Sequence, residues 1–182
     1  DPKQAIYSFR GGDIFTYMQA KADRGNQGLY TLETNWRSTP AVINAVNRVF
    51  QRRGQDAFVY RETIAFAPVR AAEKPHRLLS RQGQEQPALT LWTLPLKDNG
   101  KTFSKQDAGV LTHGAVADEI ALLIAGGRCG EVKLGARALE PKDIAVLVRT
   151  GYEAAELRLA LAERGVNAVS VGRENVFQSS EA

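Results

Sequence analysis

The chain has 182 residues, 43% hydrophobic and 24% charged, with a net charge of +4. That is enough for one good core, or a core plus part of a neighbour, and no repeat or low-complexity tract interrupts it. A single cysteine, Cys129, excludes an internal disulfide framework and fits a reducing cytoplasm. No apolar run approaches the roughly 20 residues needed to span a bilayer, and no signal peptide is visible.

Residues 1–28 read as a loop and then a short helix that Asp13 caps, with Ile14, Tyr17 and Met18 on one side and a break at Gly25 and Gly28. Leu29–Thr34 is a strand delivering Asn35, Trp36 and Arg37 at its carboxyl end. Thr39 then caps a helix with Pro40 at its first position, where the missing N–H is harmless. Val42, Ile43, Val46, Val49 and Phe50 line one face of that helix, and Gly54 stops it. Residues 61–88 are polar, basic and poorly periodic, an irregular excursion with one extended piece at Thr63–Pro68.

Leu89–Leu94 is the next strand, and Val110–Ala125 a helix closed by Gly126 and Gly127. Ile144–Val148 is a continuous apolar run, as expected of a strand buried on both faces of a parallel sheet. Thr150 caps a helix over Glu153–Arg164, Gly165 closes it, and Val166–Val171 is a further strand. Strands alternating with helices predict an α/β fold with a mostly parallel sheet flanked by helices.

Charge is unevenly distributed. Residues 1–81 carry 13 Lys/Arg against 7 Asp/Glu, and residues 82–182 carry 11 against 13. The basic half also holds Tyr7 and Phe9, two apart in an extended stretch and so on one side, beside Arg10. A solvated surface explains the charge alone; charge with aromatics fits a surface that tracks a phosphate backbone.

The opening run Asp1-Pro2-Lys3-Gln4-Ala5-Ile6-Tyr7-Ser8-Phe9-Arg10 and the block Thr31-Leu32-Glu33-Thr34-Asn35-Trp36-Arg37-Ser38-Thr39 resemble the third and fourth motifs of superfamily-I DNA helicases of the UvrD/Rep type. With Trp36 and the run Asp143–Thr150, the chain is most similar to the exodeoxyribonuclease V beta-type (RecB-type) helicase–nucleases. The similarity is weakest between about Ala71 and Arg128. It implies that residues 1–28 are the tail of the first motor domain and 29–182 a RecA-like second motor domain, truncated at its C-terminal end. The opening inside a motif, without methionine, leads to the expectation of a piece of a longer protein.

The resemblance implies roles for individual residues. Gln4 senses the γ-phosphate of ATP, and Arg37 acts as a finger on the same phosphate, its rigid five-donor fork matching phosphate oxygens. Trp36 offers a face for adenine, core packing being the commoner use of tryptophan, while Asn35 orders the turn. Tyr7 and Phe9 stack on single-stranded DNA. Arg10 joins the phosphate network between the motor domains, and Arg149 either contacts backbone phosphate or caps the sheet. The implied cofactors are ATP and Mg²⁺, the implied partners single- and double-stranded DNA ends and the other exodeoxyribonuclease V subunits, in the bacterial cytoplasm.

A second phosphate signal fails on its own chemistry. Pro95–Thr102 ends in Gly-Lys-Thr, but proline stands where a phosphate loop needs glycine, and Phe103–Gly109 is a poor helix start. His76, His113 and Cys129 have no metal-ligand spacing. Two other readings remain open: a non-catalytic DNA-binding or scaffolding subunit on a decayed helicase fold, and a single-chain repair helicase without nuclease. The isolated chain is expected to be inactive.

Overall fold

The computed structural model describes residues 13–25, 28, 30–58, 64, 66–75 and 77–170. The chain divides into two units, Asp1–His76 with Pro87–Thr90, and Arg77–Gln86 with Leu91–Ala182. The architecture is mixed α/β with small sheets.

In the first unit, α1 spans Ile14–Arg24. Asp13 caps it by accepting from the N–H groups of Phe15 and Thr16, each at 3.0 Å. The helix buries none of its residues, Ile14 and Met18 being half-buried. The strand expected from Leu29 forms a ladder only at β1, Thr34–Asn35, which pairs in parallel with β2, Arg70–Ala71. Residues 66–68, inside the expected extended piece, and Val69 after them lead into β2 without ladder bonds.

Helix α2, Pro40–Gln51, starts as its capping chemistry dictates, with Thr39 Oγ1 accepting from the Val42 N–H. Its buried side is narrower than the apolar pattern suggested. Ile43 is buried and Phe50 stacks on Phe66 at 5.3 Å and tilts against Phe58 at 5.4 Å, but Val46 and Val49 are exposed. Asn47, one turn after the buried Ile43 on the helix, brackets Val69. Its Nδ2 donates to the Val69 carbonyl at 2.8 Å and its Oδ1 accepts from the Val69 N–H at 3.3 Å.

The second unit holds a sheet in the order β4-β3-β5-β6, antiparallel throughout: β3 Leu79–Arg81, β4 Gln84–Glu85, β5 Val132–Leu134 and β6 Arg137–Ala138. The irregular reading of residues 61–88 therefore needs correction. The β3–β4 turn is Gln82-Gly83, with φ of 51° and 77°. Two positive φ values in a two-residue loop match the twist of a hairpin, but glutamine is not a residue that announces one.

Helix α3 runs from Lys105 to Arg128, longer at both ends than expected. Ser104 caps it through the Asp107 N–H, so the segment read as a poor helix start begins the helix. Gly126 and Gly127 do not end it either. A Cβ at Gly127 would lie 2.2 Å from the Leu139 carbonyl oxygen, and one at Gly126 2.4 Å from Val132 Cγ2. These glycines are there so that the β5–β6 hairpin can cross the helix, a tertiary requirement that happens to resemble a local stop.

By length and composition α3 could cross a membrane, contrary to the reading of the apolar runs. Here it packs on α4, Gly151–Ala162, and on β5. Ala117, Ile120 and Ile124 form a core with Leu157 and Leu161, and Ile144, Val166 and Ala168 pack against it. Each such Leu or Ile contributes about 1.5–3 kcal/mol by burial. Arg164 Nε donates to Asp118 at 2.6 Å, and Arg81 pairs with Glu119.

Leu89–Leu94, Ile144–Val148 and the described part of Val166–Val171 carry no ladder bonds, so the expected parallel sheet is represented among the described residues only by β1–β2. Ile144 packs on the core, yet Leu147 is 97% exposed. The apolar pattern encodes a tendency to be buried and extended; the ladder depends on a neighbouring strand, which no local pattern specifies.

Candidate nucleotide-facing turn

The turn after β1 is built by one side chain. Asn35 Oδ1 accepts from the Arg37 N–H at 2.9 Å and from the Ser38 N–H at 2.8 Å, closing the backbone over three residues. This is the turn-ordering role expected of Asn35. The β1–β2 pair brackets it, with Arg70 N–H donating to the Glu33 carbonyl at 2.8 Å and Ala72 N–H to the Asn35 carbonyl at 3.0 Å. Lys74, just beyond β2, donates its ammonium to the Trp36 carbonyl.

What the turn presents is chemically specific. Trp36 is 69% exposed, so its indole is a free face and not part of the core. Arg37 is exposed and makes no ion pair among the described residues. Ser38 and Thr39 lead directly into the first turn of α2. An exposed planar cation beside an exposed flat aromatic suits a phosphate and a base better than a packing role. A cleft of about 800 Å³ nearby is lined by Glu33, Asn44, Asn47 and residues 67–74, but Arg37 is not among its walls.

Arg149 lies in the second unit at the end of the extended run 144–148. Its N–H donates to Glu153 Oε2 at 2.8 Å and its side chain is exposed. The start of that run is fixed by Arg137, whose guanidinium grips Asp143 at both oxygens, one bond measuring 2.6 Å. That hydrogen bonding, with the Glu140 N–H at 2.9 Å, holds the Asp143 carboxyl well below its usual range. Gln4, Tyr7, Phe9 and Arg10 lie outside the described residues, as does His76.

The loop ending in Gly100-Lys101-Thr102 closes on itself. Lys97 N–H donates to the Lys101 carbonyl, Gly100 N–H to the Lys97 carbonyl and Lys101 N–H to Asn99 Oδ1. Its amides are engaged internally instead of converging outward. Among the described residues no group of three or more His, Cys, Asp or Glu could hold a metal ion.

Two residues of the turn's support escaped the sequence reading. Lys74 contacts a residue 38 positions away, and nothing local announces that. Asn47 did leave a signal, a polar side chain within an otherwise apolar helical stripe.

No protein-family model matches the chain. Across its whole length it is 40% identical to the RecBCD enzyme subunit RecB of Escherichia coli strain K12, covering 15% of that protein. It is 34% identical to the subunit of the same name from Buchnera aphidicola subsp. Baizongia pistaciae, of which it covers 15%, and 34% identical to that of Mycolicibacterium smegmatis, of which it covers 16%. The chain thus spans about a sixth of the length of these curated relatives.

Proposed function

Since the chain belongs to the RecB-type helicase family, we propose that it supplies one wall of an ATP cleft and part of a single-stranded DNA track. The larger protein would be an ATP-dependent helicase–exonuclease acting on DNA ends in recombinational repair, assembled with the other RecBCD subunits in the bacterial cytoplasm. The observation that carries this is the turn itself: Asn35 braces a backbone that carries an exposed Trp36 next to an exposed Arg37 that makes no ion pair among the described residues.

In this reading residues 1–28 close the first motor domain and residues 29–182 belong to a RecA-like second one. The extended runs 144–148 and 166–170 would then be strands of its parallel sheet, paired by segments outside the described residues. Their apolar composition, and the cavity that both runs line with Ile120, Ile124, Leu157 and Leu161, support this. Arg37 faces the γ-phosphate and stabilises charge that builds up during phosphoryl transfer. Trp36 stacks on adenine, and Gln4 and Arg10 contact the nucleotide's phosphates. Tyr7, Phe9, Arg10 and Arg149 serve the DNA. The Mg²⁺ that accompanies ATP is held by residues outside this set.

The test uses the full-length polypeptide that contains this chain. Arg37→Ala should lower kcat for ATP by about 10³-fold or more, the scale of an arginine finger, with DNA binding largely kept. Tyr7→Ala and Phe9→Ala should do the reverse, weakening DNA affinity and uncoupling unwinding from hydrolysis. An Arg37→Ala protein that hydrolyses ATP normally yet loses DNA would show the two surfaces to be assigned the wrong way round.

A further inference from the structure

The peptide unit between Trp36 and Arg37 is held at both of its polar ends. Its N–H, on Arg37, donates to Asn35 Oδ1. Its carbonyl, on Trp36, accepts from the Lys74 ammonium. A peptide unit is planar, so two anchors on opposite edges fix its rotation about the chain axis, whereas one anchor leaves it free to swing. That rotation tilts the N–Cα bond of Arg37 and so shifts the direction in which its side chain leaves the backbone. From these two contacts we infer that Lys74 is a positioning residue for Arg37, holding the Trp36–Arg37 peptide plane so that the guanidinium points into the proposed nucleotide cleft. The inference rests on the reading of Arg37 given above.

Several features make Lys74 suited to the task. Its place is fixed by the β1–β2 pair: Ala72, two residues earlier, donates to the Asn35 carbonyl, and the Lys74 N–H closes a tight turn onto the Ala72 carbonyl at 3.1 Å. The strand behind it is pinned in turn by Asn47, which holds Val69 at both N–H and carbonyl. Pro75 follows, and a residue before proline is confined to extended conformations, so less backbone freedom is lost when the ammonium docks. A hydrogen bond from a charged donor is also roughly twice as strong as a neutral one. Lys74 makes no ion pair among the described residues.

Positioning and direct phosphate binding make different predictions. An ammonium that touched phosphate would act with or without Arg37 and would show in KM. One that acts through the peptide plane has nothing left to position once Arg37 is gone. In the full-length protein, with single-stranded DNA present, Lys74→Met should lower kcat for ATP by about 10- to 100-fold, the scale of a misplaced catalytic group. KM for ATP, DNA affinity and thermal unfolding should stay near wild type. Lys74→Arg, which keeps a charged donor, should restore most of the turnover. In an Arg37→Ala background Lys74→Met should cause no further loss.

An unchanged kcat in Lys74→Met, a loss that multiplies that of Arg37→Ala, or a loss expressed in KM would overturn the inference. If Arg37→Ala alone turns over ATP normally, the reading of Arg37 fails and the positioning role falls with it. If Arg37→Ala is slow and Lys74→Met is not, only the positioning role fails.

Discussion

One substitution made at two places on α3 should have opposite effects. Nothing lies within 4 Å of a Cβ built on Gly109, so Gly109→Ala meets open space and gains about 1 kcal/mol of helix propensity. At Gly127 the new carbon would lie 2.2 Å from the Leu139 carbonyl oxygen and 3.1 Å from its carbon. An ordinary carbon–oxygen approach is about 3.3 Å, so the helix and the hairpin must separate by roughly an ångström. The hairpin resists, because Leu139 N–H is bonded to the Val132 carbonyl at 3.0 Å and both side chains are buried. Overpacking of this kind costs about 1–3 kcal/mol, against at most about 1 kcal/mol gained in propensity. Gly127→Ala should therefore lose stability where Gly109→Ala gains it, with a gap of about 2 kcal/mol. Urea unfolding of the chain followed by far-UV circular dichroism measures this as a change in midpoint at constant slope. A Gly127→Ala midpoint at or above that of Gly109→Ala would refute the claim that clearance, and not helix termination, explains the glycine.

The Gln82 backbone sits at φ 51°, a region that is strained for residues other than glycine and asparagine. Gln82→Gly should raise stability by about 1 kcal/mol in the same unfolding experiment, and a fall would mean that the side chain supports the turn. The Asp143 carboxyl is held below its unfolded value, chiefly by Arg137, so the stability it contributes is present above about pH 4 and is lost as pH falls through the folded value. Asp143→Asn should be less stable than wild type at pH 7 and lose less on acidification below about pH 4; parallel pH profiles would contradict this. The 182-residue chain alone should show no ATP turnover and only weak, salt-sensitive, sequence-indifferent binding to fluorescent single-stranded DNA, and tight binding that ignores salt would count against the basic-surface argument.

What could be read from sequence was the chemistry that closes within one turn of chain. Thr39 with Pro40, Thr150 with the Glu153 N–H, and Gly165 after α4 are each completed by partners a few residues away, and each stands where the pattern put it. The failures have the opposite cause. The β3–β4 hairpin has strands of three and two residues and a Gln-Gly turn, too short for periodicity and without Asn-Gly chemistry. Gly126 and Gly127 answer to a hairpin that passes over them, and the ladder partners of Ile144–Val148 cannot be deduced from its own composition. In the site the contrast is the same. The placement of Trp36 and Arg37 in a turn after the first strand was legible because Asn35 closes that turn within three residues, whereas Lys74 reaches it only after the chain has returned along β2.

The way the turn is closed also bears on which nucleobases the proposed cleft would accept. The N–H groups of Arg37 and Ser38 are taken by Asn35, and the Trp36 carbonyl is taken by Lys74. Telling adenine from guanine requires donors and acceptors aimed at the base edge, and those main-chain groups are already engaged. The indole face is indifferent to such differences, because every purine and pyrimidine has a π-surface. The guanidinium would address oxygens that all nucleoside triphosphates share. This wall would therefore hold a triphosphate and act on its terminal phosphate without identifying the base, leaving that discrimination to groups elsewhere in the cleft.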